Sequence, residues 1–453
     1  MKPSSPVLKS AFAIAERLRH RGFTAYFAGG CVRDFLMGRE PKDVDIATSA
    51  LPEDVEKTFP RTVPVGKQFG VILVMDGELS FEVATFRTEG GYQDGRHPTQ
   101  VRFTGPQEDA SRRDFTVNGL FFDPEAGKVI DYVGGQLDLQ AGLLRAIGNP
   151  DTRFEEDKLR LMRAVRFASS LKFQIDGPTW DAVRRWSPEI HCVSPERIRD
   201  ELVRTLTRSG AERGFQLLSD SGLMKEILPE IEAMKGVMQA PEYHPEGDVF
   251  THTKIMLEKM REPTVTLAMS VLLHDVAKPV TQSLDSHGRI RFNCHAAAGA
   301  RMARELMKRL RFSNDEIDKV VSAVEQHLTF KDVMNMREGK LKLFISRPNF
   351  DEELELHRLD SLSASGNLQN YEFIREKLKA FADEPLRPKP LLSGHDLIAL
   401  GVKPGRGMKP LLDEAYELQL EKKINSAEEA VAWAKNRIGP LKISGKDPVN
   451  EGN

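Results

Sequence analysis

Gly29-Gly30-Cys31-Val32-Arg33-Asp34, followed by Asp43-Val44-Asp45, is the stretch on which the reading of this 453-residue chain turns. Ahead of it, Thr24–Ala28 is apolar and strand-like; the glycine pair ends that strand, and a short helix closing at Gly38 follows. Glycine at such a turn lets backbone amides approach a phosphate with no Cβ in the way. Arg33 falls one turn into the helix, where a guanidinium can neutralise a polyphosphate. Asp43 and Asp45 are two apart on a second predicted strand, so both carboxylates face one side of a sheet. Paired carboxylates on one face suit Mg²⁺, and Mg²⁺ beside a polyphosphate means phosphoryl or nucleotidyl transfer. A glycine turn alone is a turn, and Asp-x-Asp alone is a strand end. Close together, in strand–turn–helix–strand order, they form a specific signal.

Composition sets outer bounds. The length calls for two to four domains, and 40% hydrophobic residues suffice for ordinary cores. No apolar run approaches the ~20 residues of a membrane span. The opening MKPSSPVLKS lacks the apolar centre of a signal peptide. Cys31, Cys192 and Cys294 lie far apart and form no CxxC, which points to a reducing, cytoplasmic setting rather than a disulfide framework or cysteine zinc site. A net charge of −2 means that any nucleic-acid surface must be local. Arg184-Arg185 and the run Arg301–Arg311, with five basic residues and one acid, are candidates, each equally readable as a solvated helix face.

Along the chain, β-type runs at Val71–Met75, Phe81–Arg87 and Val129–Val133 mark a mixed α/β region ending near residue 150. Amphipathic helices take over from Arg153. Thr88–Pro98 (TEGGYQDGRHP) is polar, Gly-rich and expected to be mobile. Pro385–Pro390 breaks the chain, so Leu391 to about Ile438 reads as a small tail domain, with the last dozen residues disordered.

Two further motifs carry chemistry. Arg112-Arg113-Asp114-Phe115-Thr116-Val117-Asn118 places a guanidinium for phosphates beside two hydrogen-bonding side chains suited to a ribose. Glu155–Leu171 (EEDKLRLMRAVRFASSL) reads as one helix with acids in its first turn, as the helix dipole prefers. Arg160, Arg163 and Arg166 spread over ~120° of one flank, opposite Leu161, Met162, Ala164, Val165 and Ala168. On this reading alone it is an amphipathic helix with an exposed cationic face.

GGCVRD, KDVDIATS, RRDFTVN and EDKLR, read together, resemble the class II tRNA nucleotidyltransferase and bacterial poly(A) polymerase family. The resemblance covers about residues 20–205. It implies an α+β fold: a polymerase-β-like head with a mixed sheet (1–150), a helical neck (151–215), a helical body (216–385) and a tail (386–453). It implies CTP and ATP added to the 3′ end of tRNA, with two Mg²⁺ held by Asp43 and Asp45. One would help deprotonate the RNA 3′-hydroxyl and the other would neutralise the leaving pyrophosphate. Glu82 is a possible third carboxylate. Gly29, Gly30, Arg33, Arg113, Asp114, Asn118, Asp157, Arg160, Arg163 and Arg166 would bind the nucleotide. Asp157 and Arg160 would read its Watson–Crick edge as a protein template. C and A both offer an amine beside a ring acceptor, which a carboxylate–guanidinium pair matches; U and G present the opposite pattern. The helix Ser194–Leu202 is expected to be a structural part of the neck.

The C-terminal half carries His252, His274-Asp275 in LLHDVAKP, His295, His327 and Asp360 in recognisable order. A lone histidine on a helix is ordinarily structural. This series resembles the HD phosphohydrolase superfamily, which implies that His252, His274, Asp275 and Asp360 bind a divalent metal and that His295 and His327 complete a second position. Such ligands suit Mn²⁺, Ni²⁺ or Fe better than Mg²⁺.

The same motifs fit an A-adding or CC-adding partial enzyme, or a poly(A) polymerase; the mobile Thr88–Pro98 segment disfavours CC addition alone. A protein uridylyltransferase joined to an HD domain would need ligand-sensing domains for which the tail is too short. An HD hydrolase with a degenerate N-terminal domain conflicts with the intact Asp43-x-Asp45.

Overall fold

The structure, a computed structural model, describes residues 1–2, 4–92, 98–242 and 244–443. It divides into two compact units, one of residues 1–237, 248–268 and 304–317, the other of residues 238–247, 269–303 and 318 onward.

The first unit opens with α1 (Pro6–His20), whose Ser5 cap accepts a hydrogen bond from the Leu8 amide. Then come β1 (Ala25–Ala28), α2 (Gly30–Leu36), β2 (Asp45–Thr48), α3 (Pro52–Thr58), β3 (Thr62–Gly66), β4 (Val71–Asp76) and β5 (Leu79–Thr85). β6 (Arg87–Tyr92), β7 (Pro98–Phe103), α4 (Pro106–Ser111), β8 (Phe121–Asp123) and β9 (Lys128–Ile130) complete the head. Seven strands form one sheet in the order β3-β4-β5-β2-β1-β8-β9. All neighbours are antiparallel except β2 and β5, which run parallel with Ile46 opposite Val83. Alternation along the strands sends Phe27, Ile46, Ile72, Phe81 and Val83 to one face, where they pack with Ile14, Ala15 and Leu18 of α1. Ala28, Ala47, Phe86 and Phe121 pack on the other side with Ala110 of α4.

β6 and β7 pair as a separate antiparallel hairpin, from Arg87 opposite Phe103 to Tyr92 opposite Pro98. Thr88–Pro98, the segment expected to be mobile, is strand in its described part; residues 93–97 lie outside the described residues. The expected strand Phe81–Arg87 likewise divides into β5 and the start of β6.

After α5 (Gly135–Ala141) the unit is almost wholly helical: α6 (Pro150–Glu156), α7 (Leu159–Leu171), α8 (Gly177–Trp186), α9 (Pro195–Leu206) and α10 (Ala211–Asp220). The expected continuous helix Glu155–Leu171 is broken. Asp157 is extended (φ −147°, ψ 105°), Glu155 and Glu156 close α6, and the Asp157 Oδ1 accepts from the Leu159 amide at 3.0 Å to start α7. A side chain that competes for backbone amides explains the break. α7 is buried on both flanks: Leu161, Met162, Ala164 and Val165 are fully buried, and Arg160 and Arg166 are only 9% and 4% exposed. Its cationic flank is not a solvated face.

In the second unit, helices Glu338–Ile345, Phe350–Ser363 and Gln369–Ala380 surround Phe330, Phe344, Phe350 and Ile374. The tail past the Pro-rich break forms three helices, Gly394–Ala399, Met408–Leu420 and Ala427–Ile443, around Leu397, Leu411, Ala415 and Ala434. Lys342 Nζ donates to the Leu420 carbonyl at 3.2 Å, fastening the tail to helix Glu338–Ile345. Of the last dozen residues, 442 and 443 close the final helix and 444–453 lie outside the described residues.

Candidate active site and histidine cluster

Asp45 is the first residue of β2, one register step before the Ile46–Val83 pair, so parallel pairing sets it beside Glu82. Asp43 precedes the strand rather than lying on it, with buried Val44 between the two exposed aspartates. Glu82 and Asp43 nonetheless both act on Asp45. The Asp45 carboxyl is raised to about 6 by desolvation, by Glu82 and by Asp43, against the opposing field of Arg113. Crowded, mutually repelling carboxylate oxygens are the donor set that a hard divalent cation fits.

Gly29 stands at φ +70° between β1 and α2, and its amide donates to the Leu120 carbonyl at 2.9 Å. The positive φ calls for glycine, and a Cβ there would lie 2.9 Å from Arg113 Nη1 and push that guanidinium aside. Arg33 donates to Asp34 Oδ1 at 2.8 and 2.7 Å and to Asn118 Oδ1 at 2.6 Å, over the Phe167 ring.

Asn118 Nδ2 in turn donates to Asp114 Oδ1 at 3.1 Å, and Asp114 Oδ2 accepts from Arg163 at 2.9 and 2.6 Å. Burial would raise Asp114, yet Arg163 and Asn118 pull it down to about 2. Asp114 therefore holds Arg163 and Asn118 in place as a fixed anion. Arg166 pairs with buried Glu201 at 2.5 Å. Arg160 donates to Glu156 Oε2 at 2.6 Å and to the carbonyls of Arg153 and Arg112 at 2.9 and 3.0 Å.

Arg33, Arg113, Asp114, Asn118, Arg160, Arg163 and Arg166 border one open cleft of about 450 Å³, which also takes in Gly29, Gly30 and Asp45. Seven arginines and three aspartates line it, making it a polyanion site on a chain of net charge −2. Two functional residues escaped the sequence. Arg197 of α9 donates to both Asp157 oxygens, at 3.3 and 3.0 Å, so the helix expected to be merely structural reaches the cleft. Asp109 of α4 binds Arg112 and Arg113 from beneath. An arginine at the third residue of a Pro-started helix and an acid among polar neighbours carry no distinguishing pattern.

The second unit gathers His274, Asp275, His295 and His327, all buried. His274, His295 and His327 each use Nδ1 on a backbone carbonyl: Val271 at 2.9, Phe292 at 2.7 and Val324 at 2.6 Å. A carbonyl only accepts, so Nδ1 carries the hydrogen, and a ring with that single proton presents a lone pair at Nε2. Those Nε2 atoms lie 3.1, 3.4 and 3.8 Å from Asp275 carboxylate oxygens, and those of His295 and His327 face each other at 3.3 Å. Asp275 Oδ1 is buried with no hydrogen bond among the described residues. Lone pairs converging on an orphaned carboxylate oxygen fit a cation, and the fixed tautomer is the metal-ligating one. Burial lowers His327 to about 4, so it remains neutral. Burial opposes ionisation of Asp275, but the charge of Lys278, whose Nζ lies at 2.6 Å, helps hold it well below the usual carboxylate range. Asp360 acts on His327 electrostatically. His252, buried on helix Val249–Lys259, belongs to the first unit.

The poly(A) polymerase head-domain family matches residues 25–145, the probable RNA- and SrmB-binding site of polymerase A residues 172–235, and the HD domain residues 247–365. The CCA-adding enzyme of Ligilactobacillus salivarius is 44% identical over 218 residues, 48% of this chain and 54% of that protein. That of Geobacillus kaustophilus is 43% identical over 229 residues, 50% of this chain and 56% of that protein. The chain thus spans about half the length of the curated relatives it matches. Among solved structures, the Bacillus stearothermophilus CCA-adding enzyme in complex with CTP aligns over 97% of this chain and all of that one, with TM-score 0.76 and 27% identity. The Thermotoga maritima enzyme complexed with tRNA shares the fold at TM-score 0.59 and 18% identity, over 96% of this chain and 97% of that one. With a poly(A) polymerase head domain, the polymerase A RNA-binding region and an HD domain matched in order, the chain belongs to the class II tRNA nucleotidyltransferase and poly(A) polymerase family.

Proposed function

We propose that the chain adds CCA to tRNA 3′ ends, using CTP and ATP. The observation that carries this reading is the single arginine-rich cleft holding both Asp45 and the pair Asp157 and Arg160. In the reaction the RNA 3′-oxygen attacks the α-phosphorus of the nucleotide, forming a phosphodiester bond as the bond to pyrophosphate breaks. Asp43 and Asp45, with Glu82 alongside, would hold Mg²⁺. When bound, that cation supplies activation of the 3′-hydroxyl and charge neutralisation at the pyrophosphate. Arg113 and the Gly29–Gly30 turn receive the triphosphate, and the Asp114–Asn118–Arg33 chain fixes the ribose side of the cleft. Asp157 leaves Arg197 to accept from the base amine, and Arg160 donates to its ring acceptor. The division into head (1–150), neck (151–215), body (216–385) and tail (386–453) belongs to this reading, as does a cytoplasmic location, which suits three unpaired cysteines.

The test is to offer tRNA ending at the discriminator base, at CC or at CCA, with CTP and ATP singly and together. Completion of CCA from the discriminator base sustains the proposal. Addition of A alone, of C alone or of long A tracts moves the function to an A-adding enzyme, a CC-adding enzyme or a poly(A) polymerase respectively.

Asp157→Ala and Arg160→Ala should relax base choice more than they slow chemistry. A good bidentate base contact is worth about 1–3 kcal/mol of discrimination, so UTP and GTP misincorporation should rise by roughly tenfold or more. Single-nucleotide extension with each triphosphate measures this; wild-type selectivity in both variants would refute the template role.

For the second site, the tautomers and the buried Asp275 favour a phosphohydrolase centre using Mn²⁺ or Ni²⁺. His274, Asp275, His295 and His327 would be its ligands, with Asp360 near His327.

A further inference from the structure

We infer that Asp109 is a positioning residue of the nucleotidyl site: it keeps the Arg113 guanidinium off the metal-holding carboxylates and ties it to the root of the β6–β7 hairpin. The name of the reaction rests on the function proposed above; the geometry does not.

Asp109 lies in α4 with 1% of its surface exposed. Its Oδ2 accepts from Arg113 Nη2 at 3.0 Å and Nε at 3.3 Å. Its Oδ1 accepts from Arg112 Nε and Nη2 at 2.9 and 2.7 Å and from the Arg87 amide, the first residue of β6, at 3.3 Å. Arg112 Nε also donates to the Arg87 carbonyl at 3.0 Å, and the Arg112 carbonyl accepts from Arg160 Nη2 at 3.0 Å. One buried carboxylate thus joins three parts of the site: the hairpin root, the guanidinium beside Gly29 and, through Arg112, the base-reading Arg160.

Arg113 is held between two kinds of anion. Asp109 binds it directly from below, while Asp45 is near enough for the two charges to act on each other. With Asp109 in place, Arg113 lies over the Phe121 ring, 5.1 Å from its centre, with Nη1 toward the Asn118 carbonyl at 3.4 Å. That is the Gly29 side, where a triphosphate would lie. Without the Asp109 charge, Arg113 keeps the attraction of Asp45, on which its charge already acts. An arginine–carboxylate pair there competes directly with a divalent cation for the same oxygens.

The test compares Asp109→Asn, which keeps shape and loses charge, with Asp109→Glu, which restores charge. Each is made in an Asp275→Ala background, so that the histidine cluster does not contribute metal. Mn²⁺ binding, followed by electron paramagnetic resonance, should weaken at least fivefold in Asp109→Asn and recover substantially in Asp109→Glu. The Mg²⁺ needed for half-maximal nucleotide addition should rise in parallel, with excess Mg²⁺ restoring turnover. Unchanged Mn²⁺ affinity in Asp109→Asn, even with lowered thermal stability or turnover, overturns the inference and leaves Asp109 a structural staple. A wild-type protein that binds Mn²⁺ but adds no nucleotide to any RNA would overturn the proposed function alone.

Discussion

Asp45→Ala should lose nucleotide addition by at least about a hundredfold while keeping its fold, because it removes a carboxylate proposed to hold the metal at the reacting centre. Asp45 is exposed, at the mouth of the sheet, so truncation leaves no cavity. Its neighbours Glu82 and Asp43 repel it, and its folded pKa of about 6 exceeds the ordinary 3.8. A raised carboxyl favours folding in its protonated form, so its contribution is fully present below the ordinary value and is lost as pH rises through about 6. At neutral pH without metal the variant should therefore melt no lower than wild type, separating lost chemistry from lost structure. The same proton competes with the cation. In wild type the Mg²⁺ needed for half-maximal rate should climb toward tenfold per pH unit below about 6. Turnover, melting temperature and Mg²⁺ titrations at several pH values check these outcomes. More than about a hundredth of wild-type turnover in Asp45→Ala would remove Asp45 from the metal site.

His274→Ala combined with Asp275→Ala should abolish metal-dependent phosphoester hydrolysis and leave nucleotide addition nearly unchanged. Both residues lie in the second unit, whereas the nucleotidyl cleft lies wholly in the first. Removing Asp275 also strands Lys278, which is 6% exposed and paired to it at 2.6 Å. Asp275→Asn alone should spare more of the packing, so both variants belong in the measurement. Elemental analysis should find Mn²⁺ or Ni²⁺ in wild type and neither in the double variant, and hydrolysis of a 2′,3′-cyclic nucleotide should follow metal content. A wild-type protein that holds no transition metal and opens no cyclic phosphate would make the cluster a structural remnant.

What could be read in advance was local. The strand, glycine turn and helix around Gly29 form where the residue pattern puts them, and so do the cores of β4 and β5, whereas the run Val129–Val133 yields only the short β9, Lys128–Ile130. What escaped depends on partners distant in the chain. Arg197 meets Asp157 across 40 residues, and Asp109 meets the Arg87 amide across 22; neither separation leaves a periodic trace. Where local preference did speak, it misled at one point. Glu155 to Arg160 is favourable to an uninterrupted helix, yet the Asp157 side chain takes the Leu159 amide and ends the run. Asp-x-Asp likewise implied two residues on one strand, whereas β2 begins only at the second.

The parallel pairing of β2 with β5 has a kinetic consequence. β4 and β5 join by a tight turn at Asp76–Leu79 and can zip together locally, whereas β2 must find β5 across more than thirty intervening residues, and β1 must find β8 from Phe27 to Phe122. Closing such loops costs chain entropy before any contact repays it. Asp45 and Glu82 therefore come together only when the non-local half of the sheet closes. In a refolding experiment, catalytic competence should appear with the slowest phase of sheet formation, after most helical signal has returned.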